Sequence, residues 1–338
     1  MKGDGEAHPL LSPTDEFADY GTWDQYNIEM STAQEDWMQR FQYVRPALQT
    51  GLRIEQQIGV NPFQFGMIGS TDSHTALAAV EEDNFWGKMS SHEPSAERAS
   101  RLWGIPEAEM SSAGLLAAGY AAVWATENTR EALFDAMRRR EVYATTGPRI
   151  RVRFFGGWDF SEQDLTATDS ALRGYRKGVP MGAVLPTRQG VQPAPVFMAQ
   201  ALKEPEGAHL DRLQVVKGWV DSWGETHETV YDVAWSGDRE PNAEGKLPPV
   251  GNTVDTDTGH YANNIGSAEL SAVWTDPDFD PGQAAVYYLR VLEIPTPRWP
   301  LHDRVRLQAD LPAGTALTHQ ERAYTSPIWY QPEASDTP

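Results

Sequence analysis

The chain has no cysteine, few basic residues and no long apolar run, and each lack closes off a class of protein. Without cysteine there is neither a disulfide framework nor a thiolate metal site, so any metal must sit on oxygen and nitrogen ligands, and redox compartment is not encoded. Lys and Arg number 28 against 48 Asp and Glu, a formal charge of −20. That balance repels polyanions and offers no counter-ion-releasing stripe, so nucleic acid is not an expected partner. The longest apolar candidate, Leu115 to Ala125, is broken by Gly119. It falls short of the roughly 20 residues of a membrane span, so no membrane partner is expected. Residues 1–20 carry Asp4, Glu6, Asp15 and Glu16 and no apolar h-region, so a periplasmic or secreted location would need a signal encoded upstream.

What remains is a foldable chain of 338 residues, 40% hydrophobic and 22% charged. That length favours two domains, and 28 Gly with 24 Pro imply many turns. Trp37, Phe41, Val44 and Leu48 recur at three- and four-residue spacing, predicting helix within Trp23 to Ile58, with a kink at Pro46. Asn61 to Ser70 is a compact apolar run of the length of a buried strand. Glu81 to Gly104 reads as a long loop, and Ser112 to Val123 as helix or strand. Thr129 is an expected N-cap for a helix reaching Arg140, whose three terminal arginines suit the negative end of the dipole.

After Gly147-Pro148 the pattern changes to period two. Ile150–Phe155, Val196–Leu202, Leu213–Val220, Thr229–Trp235, Ala268–Trp274 and Ala284–Ile294 alternate between turn-rich segments. This half reads as an antiparallel β-sandwich with long loops at 159–187 and 236–266, and a frayed tail over 333–338. The domain boundary is placed at 149/150.

The chemistry-bearing residues are few. If the apolar run is a strand, Asp72 and His74 leave its end on one side, a carboxylate and an imidazole suited to Zn²⁺, Mn²⁺ or Fe. An isolated Asp-x-His is more often a helix cap beside a satisfied polar residue. Glu6 and His8 form a second such pair, with Asp4 beside them, in what is otherwise an acidic turn-rich terminus. The stretch from Asp255 to His260 hints at a calcium loop but has the wrong glycine offset. No nucleophile elbow and no phosphate loop is present. His92, His209, His227, His260, His302 and His319 read individually as surface or structural residues. Arg290 and Arg298 are candidate anion-binding residues, with an Arg290–Glu293 ion pair as the plainer alternative.

Gly69-Ser70-Thr71-Asp72-Ser73-His74-Thr75, with the opening Lys2-Gly3-Asp4-Gly5-Glu6-Ala7-His8-Pro9, resembles a bacterial domain-of-unknown-function family, number 3604, affiliated with the PHP (polymerase and histidinol phosphatase) superfamily. Val142 to Pro148, Gly178 to Gly182, Glu293 to Trp299 and Arg322 to Tyr330 extend the likeness over nearly the whole chain. The resemblance implies an α/β fold: a partial, distorted (β/α)₇ barrel over residues 1–149, followed by an antiparallel β-sandwich-like domain over 150–332. It also implies two or three divalent ions in the intact site, with Asp72 and His74 as ligands, Glu6 and His8 as ligands or substrate contacts, and a small-molecule phosphoester as substrate. Arg290 and Arg298 would contact that substrate.

The family's earlier His-rich motifs are absent from this chain, and Gly5 stands where serine is expected. The expectation is therefore a C-terminal fragment, weakly active or inactive alone, from a metal-dependent hydrolase. The competing expectation is a non-catalytic binding module, with Trp219, Trp223, Trp235, Trp274, Trp299 and Trp329 available to stack on sugars.

Overall fold

A computed structural model describes residues 5–332, apart from 23, 28, 30, 78, 106–107, 118 and 188–192. Asp4, the first residues of the opening motif and the tail at 333–338 lie outside the described residues.

Helix α1 (Val44–Ile58) precedes strands β1 (Leu102–Ile105), β2 (Ala108–Ser111) and β3 (Tyr120–Val123). Helix α2 (Arg130–Arg138), β4 (Val142–Thr145) and β5 (Arg151–Gly157) follow, then α3 (Glu162–Leu165), α4 (Ser170–Lys177), β6 (Gly178–Pro180) and β7 (Val184–Leu185). The long strands come next: β8 (Val196–Leu202), β9 (Leu210–Val220), β10 (Thr226–Trp235), β11 (Glu269–Thr275) and β12 (Ala285–Glu293). The chain closes with β13 (Thr296–Pro297), α5 (Trp299–Leu307), β14 (Thr318–His319), β15 (Arg322–Thr325) and β16 (Ile328–Tyr330).

Two sheets carry the fold. The larger runs β10-β9-β12-β15-β4-β3, with β16 beside β12 and β7 beside β16; the smaller runs β11-β8-β5-β6. All these pairings are antiparallel except β7 with β16. Between the sheets Val152, Phe154 and Phe197 meet Leu213, Val215, Tyr287, Leu289 and Val291 in one core. On the outer face of the larger sheet, Leu48 and Leu52 of α1 pack on Val216, Val286, Tyr288 and Trp329. Strand β12 is therefore buried along its whole length, odd positions facing the sandwich and even ones facing α1 and the N-terminal segment.

The barrel expected for residues 1–149 is not formed. Among the described residues no sheet closes on itself, and β3 and β4, although joined through α2, pair antiparallel rather than as a parallel βαβ unit. Both belong to the same sheet as β9, β12 and β15. The segment 61–70 is not a strand either. It runs extended beside β3, where Gly69 N donates to Tyr120 O at 3.1 Å and Gly119 N to Ser70 O at 2.9 Å. Gly69 permits the approach, since a Cβ there would lie 2.4 Å from Tyr120 O and 2.5 Å from Thr145 O.

Other differences are local. Helix α1 begins at Val44, so Pro46 falls in its first turn, where it removes no needed N–H, and the helix continues unbroken to Ile58. Trp37 and Phe41 sit on a preceding 3-10 turn and are exposed. The loop expected over 159–187 holds α3, α4, β6 and β7. Thr129 caps α2 as read, accepting from Ala132 N at 3.3 Å. Among the described residues no helix is long and apolar enough to cross a membrane.

Candidate metal centre

The expected ligands are dispersed among different environments. Asp72 has a backbone φ of 50°, in the left-handed region, so the strand alternation that would put it on one side with His74 does not apply. Its half-exposed carboxylate lies 3.8 Å from Lys88 Nζ. His74 is exposed, and its backbone N donates to Lys88 O at 2.7 Å. His8 uses both ring nitrogens, Nδ1 accepting from Leu10 N at 3.1 Å and Nε2 lying 3.3 Å from Asp24 Oδ2.

Glu6 is buried under the larger sheet, wrapped by Arg45, Arg290 and the Tyr288 hydroxyl. Asp15 completes this network, 2.7 Å from Arg45 Nη2 and 2.7 Å from Arg290 Nη2. Burial alone would push both carboxyls up, but the two guanidiniums outweigh it and hold them below the usual carboxylate range. Arg290 therefore pairs with Glu6 and Asp15, not with Glu293, and donates to Gln214 Oε1 at 2.9 Å. Arg298 is buried and donates to the carbonyls of Ala113, Leu115 and Ala316. Asp255 is engaged in its own turn, accepting from Asp257 N at 2.9 Å and Thr258 Oγ1 at 2.9 Å.

Among the described residues one group of three carries metal-ligand atoms close together: Glu82, His319 and Glu321, with one ligand atom from each within 4.8 Å of the others. His319 Nε2 lies 2.9 Å from Glu321 Oε1 and 3.7 Å from Glu82 Oε1. The remaining oxygen of each carboxylate is anchored. Glu82 Oε2 accepts from Trp299 N at 2.5 Å, where it meets the positive end of α5. Glu321 Oε2 accepts from Tyr20 Oη at 2.9 Å and from the Thr146 hydroxyl. Each fixed oxygen leaves its Oε1 facing the imidazole, the arrangement by which outer hydrogen bonds orient metal ligands.

The chain builds this cluster from distant parts. His319 ends β14, which pairs with β13 through Thr296 opposite His319, and Glu321 leads into β15. Glu293, at the end of β12, donates its N–H to Glu321 O at 2.8 Å. Glu82 stands on a 3-10 turn held to α5 by Arg98, whose guanidinium grips Asp303 at 2.5 and 2.8 Å and lies 4.7 Å from the Trp299 ring centroid.

Unmet polar demand marks the place. His319 Nδ1 and Glu293 Oε1 are buried without hydrogen-bond partners. Burial, then the negative charge of Glu321, pushes the Glu293 carboxyl well up. Burial also raises Glu82, against the opposing charge of His319. Glu321 is lowered, because His319 and the two hydroxyls outweigh burial. The cluster lies between two cavities: one of about 730 Å³, lined by Glu82, Glu293 and Glu321, and one of about 640 Å³, lined by Tyr20, Arg298, His319 and Arg322.

The family model described as "Protein of unknown function (DUF3604)" matches residues 1–332. The chain belongs to the DUF3604 family. No curated protein and no solved structure matches it. Two carboxylate oxygens and one imidazole nitrogen fit Zn²⁺, Mn²⁺ or Fe²⁺, and three protein ligands would leave a coordination position open.

Glu82, His319 and Glu321 do not stand out in the sequence, where the pairs that point to a metal are Asp-x-His at Asp72 and Glu-x-His at Glu6. His319-x-Glu321 is the same two-residue spacing in the opposite order, and that was the available signal. Of the six tryptophans considered for sugar stacking, Trp299 and Trp329 are fully buried.

Proposed function

We propose that this DUF3604 member is a divalent-metal-dependent hydrolase of phosphoester bonds, with Glu82, His319 and Glu321 as its metal ligands. One observation carries the reading: two carboxylates, each with one oxygen tied down, present the other to a buried imidazole whose Nδ1 has no partner. The PHP affiliation and the phosphoester preference belong to the same reading and come from the sequence resemblance.

When bound, the ion would supply Lewis acidity and a water acidified toward neutrality. The protein's own contributions are positional. Tyr20 and Thr146 fix Glu321, the α5 N-terminus fixes Glu82, and the Tyr20 ring stacks on His319 with centroids 5.5 Å apart. The cavities on either side give a small molecule access to the cluster.

The test is metal content by mass spectrometry after loading with Mn²⁺ or Zn²⁺ and desalting, paired with hydrolysis of p-nitrophenyl phosphate and its bis ester. The reading expects bound metal and turnover that both fall in His319→Gln and Glu321→Gln. Turnover unaffected by chelation or by either substitution would refute it.

A further inference from the structure

Among the described residues six arginines are buried: Arg45, Arg98, Arg212, Arg290, Arg298 and Arg322. Four have carboxylate partners. Arg45 and Arg290 meet Glu6 and Asp15, Arg98 meets Asp303, and Arg212 meets Glu16, Asp211 and Asp232. Among the described residues neither Arg298 nor Arg322 has a carboxylate within ion-pair distance, and both line the 640 Å³ cavity beside His319. In a chain with 48 acidic residues against 28 basic ones, two buried cations with no carboxylate at ion-pair distance in one cavity, Arg298 acting on Glu82 only from farther away, are not accounted for by surplus positive charge.

From this pairing pattern we infer that the cavity is an oxyanion site, with Arg298 and Arg322 binding the charged group of the ligand, a phosphate, sulfate or carboxylate. Arg298 is 5% exposed and its Nε has no hydrogen-bond partner, while its other nitrogens are held by the carbonyls of Ala113, Leu115 and Ala316. Arg322 is fixed in turn: Nε donates to Gln320 O at 3.1 Å, Nη1 to Phe17 O at 2.9 Å, and its guanidinium carbon lies 4.1 Å from the Tyr20 ring centroid. Guanidiniums immobilised by carbonyls and rings retain their charge and lose little entropy on binding, which suits them to oxyanions. Exposed Glu16 and Asp19 at the rim oppose anions from solution, so the attraction is confined to the floor.

The inference deepens the hydrolase reading, on which it rests only for identifying the anion as part of the substrate. The experiment separates the two. Titration calorimetry on the EDTA-treated 338-residue chain at low salt, with inorganic phosphate, sulfate and acetate in separate arms, reads the anion site without metal. Saturable binding of at least one anion is expected, weakened by at least about tenfold in Arg298→Met, since charge-assisted hydrogen bonds are lost. Exposed Ala313 lines the same cavity, so Ala313→Glu keeps both arginines and should also weaken binding through repulsion if Arg298→Met does not fold. Anion binding in a protein that takes up no metal would uphold the inference while sinking the hydrolase reading. No saturable binding of any of the three anions to the wild-type chain, or binding unchanged in either folded variant, would overturn the inference.

Discussion

Arg290 Nη1 donates to Glu6 Oε2 at 3.1 Å across 284 residues of sequence. That contact, with Arg45 and Asp15, pins the N-terminal segment to the outer face of β12. The even positions of β12 thus change from apolar at Val286 to charged at Arg290 as the covering changes from α1 to residues 5–20.

Breaking this network leaves guanidiniums buried without counter-ions. Glu6→Ala should lower unfolding free energy by about 3–5 kcal/mol, read from urea denaturation at pH 7. A loss below about 1 kcal/mol, the range of exposed ion pairs, would show that the network is not buried in solution.

The same carboxylates set an acid limit. Glu6 and Asp15 titrate below their unfolded values, so their stabilisation is complete above about pH 4 and drains as pH falls further. Urea midpoints should therefore hold from pH 5 to about pH 4 and fall progressively below it, and the fall should shrink in Glu6→Gln.

Glu293 has the opposite sign. Its folded-state value lies above the unfolded one, so the cost of burying it grows as pH rises beyond about 4.3. In metal-free protein Glu293→Gln should raise stability at pH 7 by about 1–3 kcal/mol, with the gain vanishing near pH 4. Equal midpoints at pH 7 would mean that the carboxyl has a partner after all.

Gly69 is a packing constraint. Gly69→Ala would drive a Cβ into the Tyr120 and Thr145 carbonyls and should cost about 1–3 kcal/mol in thermal or urea unfolding. A neutral effect would mean that the segment 67–70 is not seated beside β3.

The strands after residue 150 were legible because each side-chain alternation is local. Val196–Leu202 is read from the sequence with the bounds of β8, and β9 to β12 fall within a few residues of their expected places. The apolar run before Asp72 misled because a short apolar segment satisfies a strand pattern whether or not a neighbour supplies the ladder. Here Phe63 and Phe65 pack on each other, with centroids 6.4 Å apart, and the backbone meets the β3 strand end at Gly69 and Ser70 without forming a strand. The helix read from Trp23 was too long for a related reason, since Trp37 and Phe41 keep helical spacing but face solvent. The Glu82, His319 and Glu321 cluster was the least legible part: Glu82 and Glu321 lie far apart in the chain, and the β13–β14 pairing ahead of β15 and the N-terminus of α5 bring them to one imidazole.

The most direct test of the central claim is a comparison of bound metal in four proteins loaded with Mn²⁺ or Zn²⁺ and desalted: wild type, Glu321→Gln, His319→Gln and the Asp72→Ala, His74→Ala double variant. The account predicts metal in wild type and the double variant, and loss of most of it in the other two. Metal retained by Glu321→Gln and His319→Gln but lost in the double variant would contradict it.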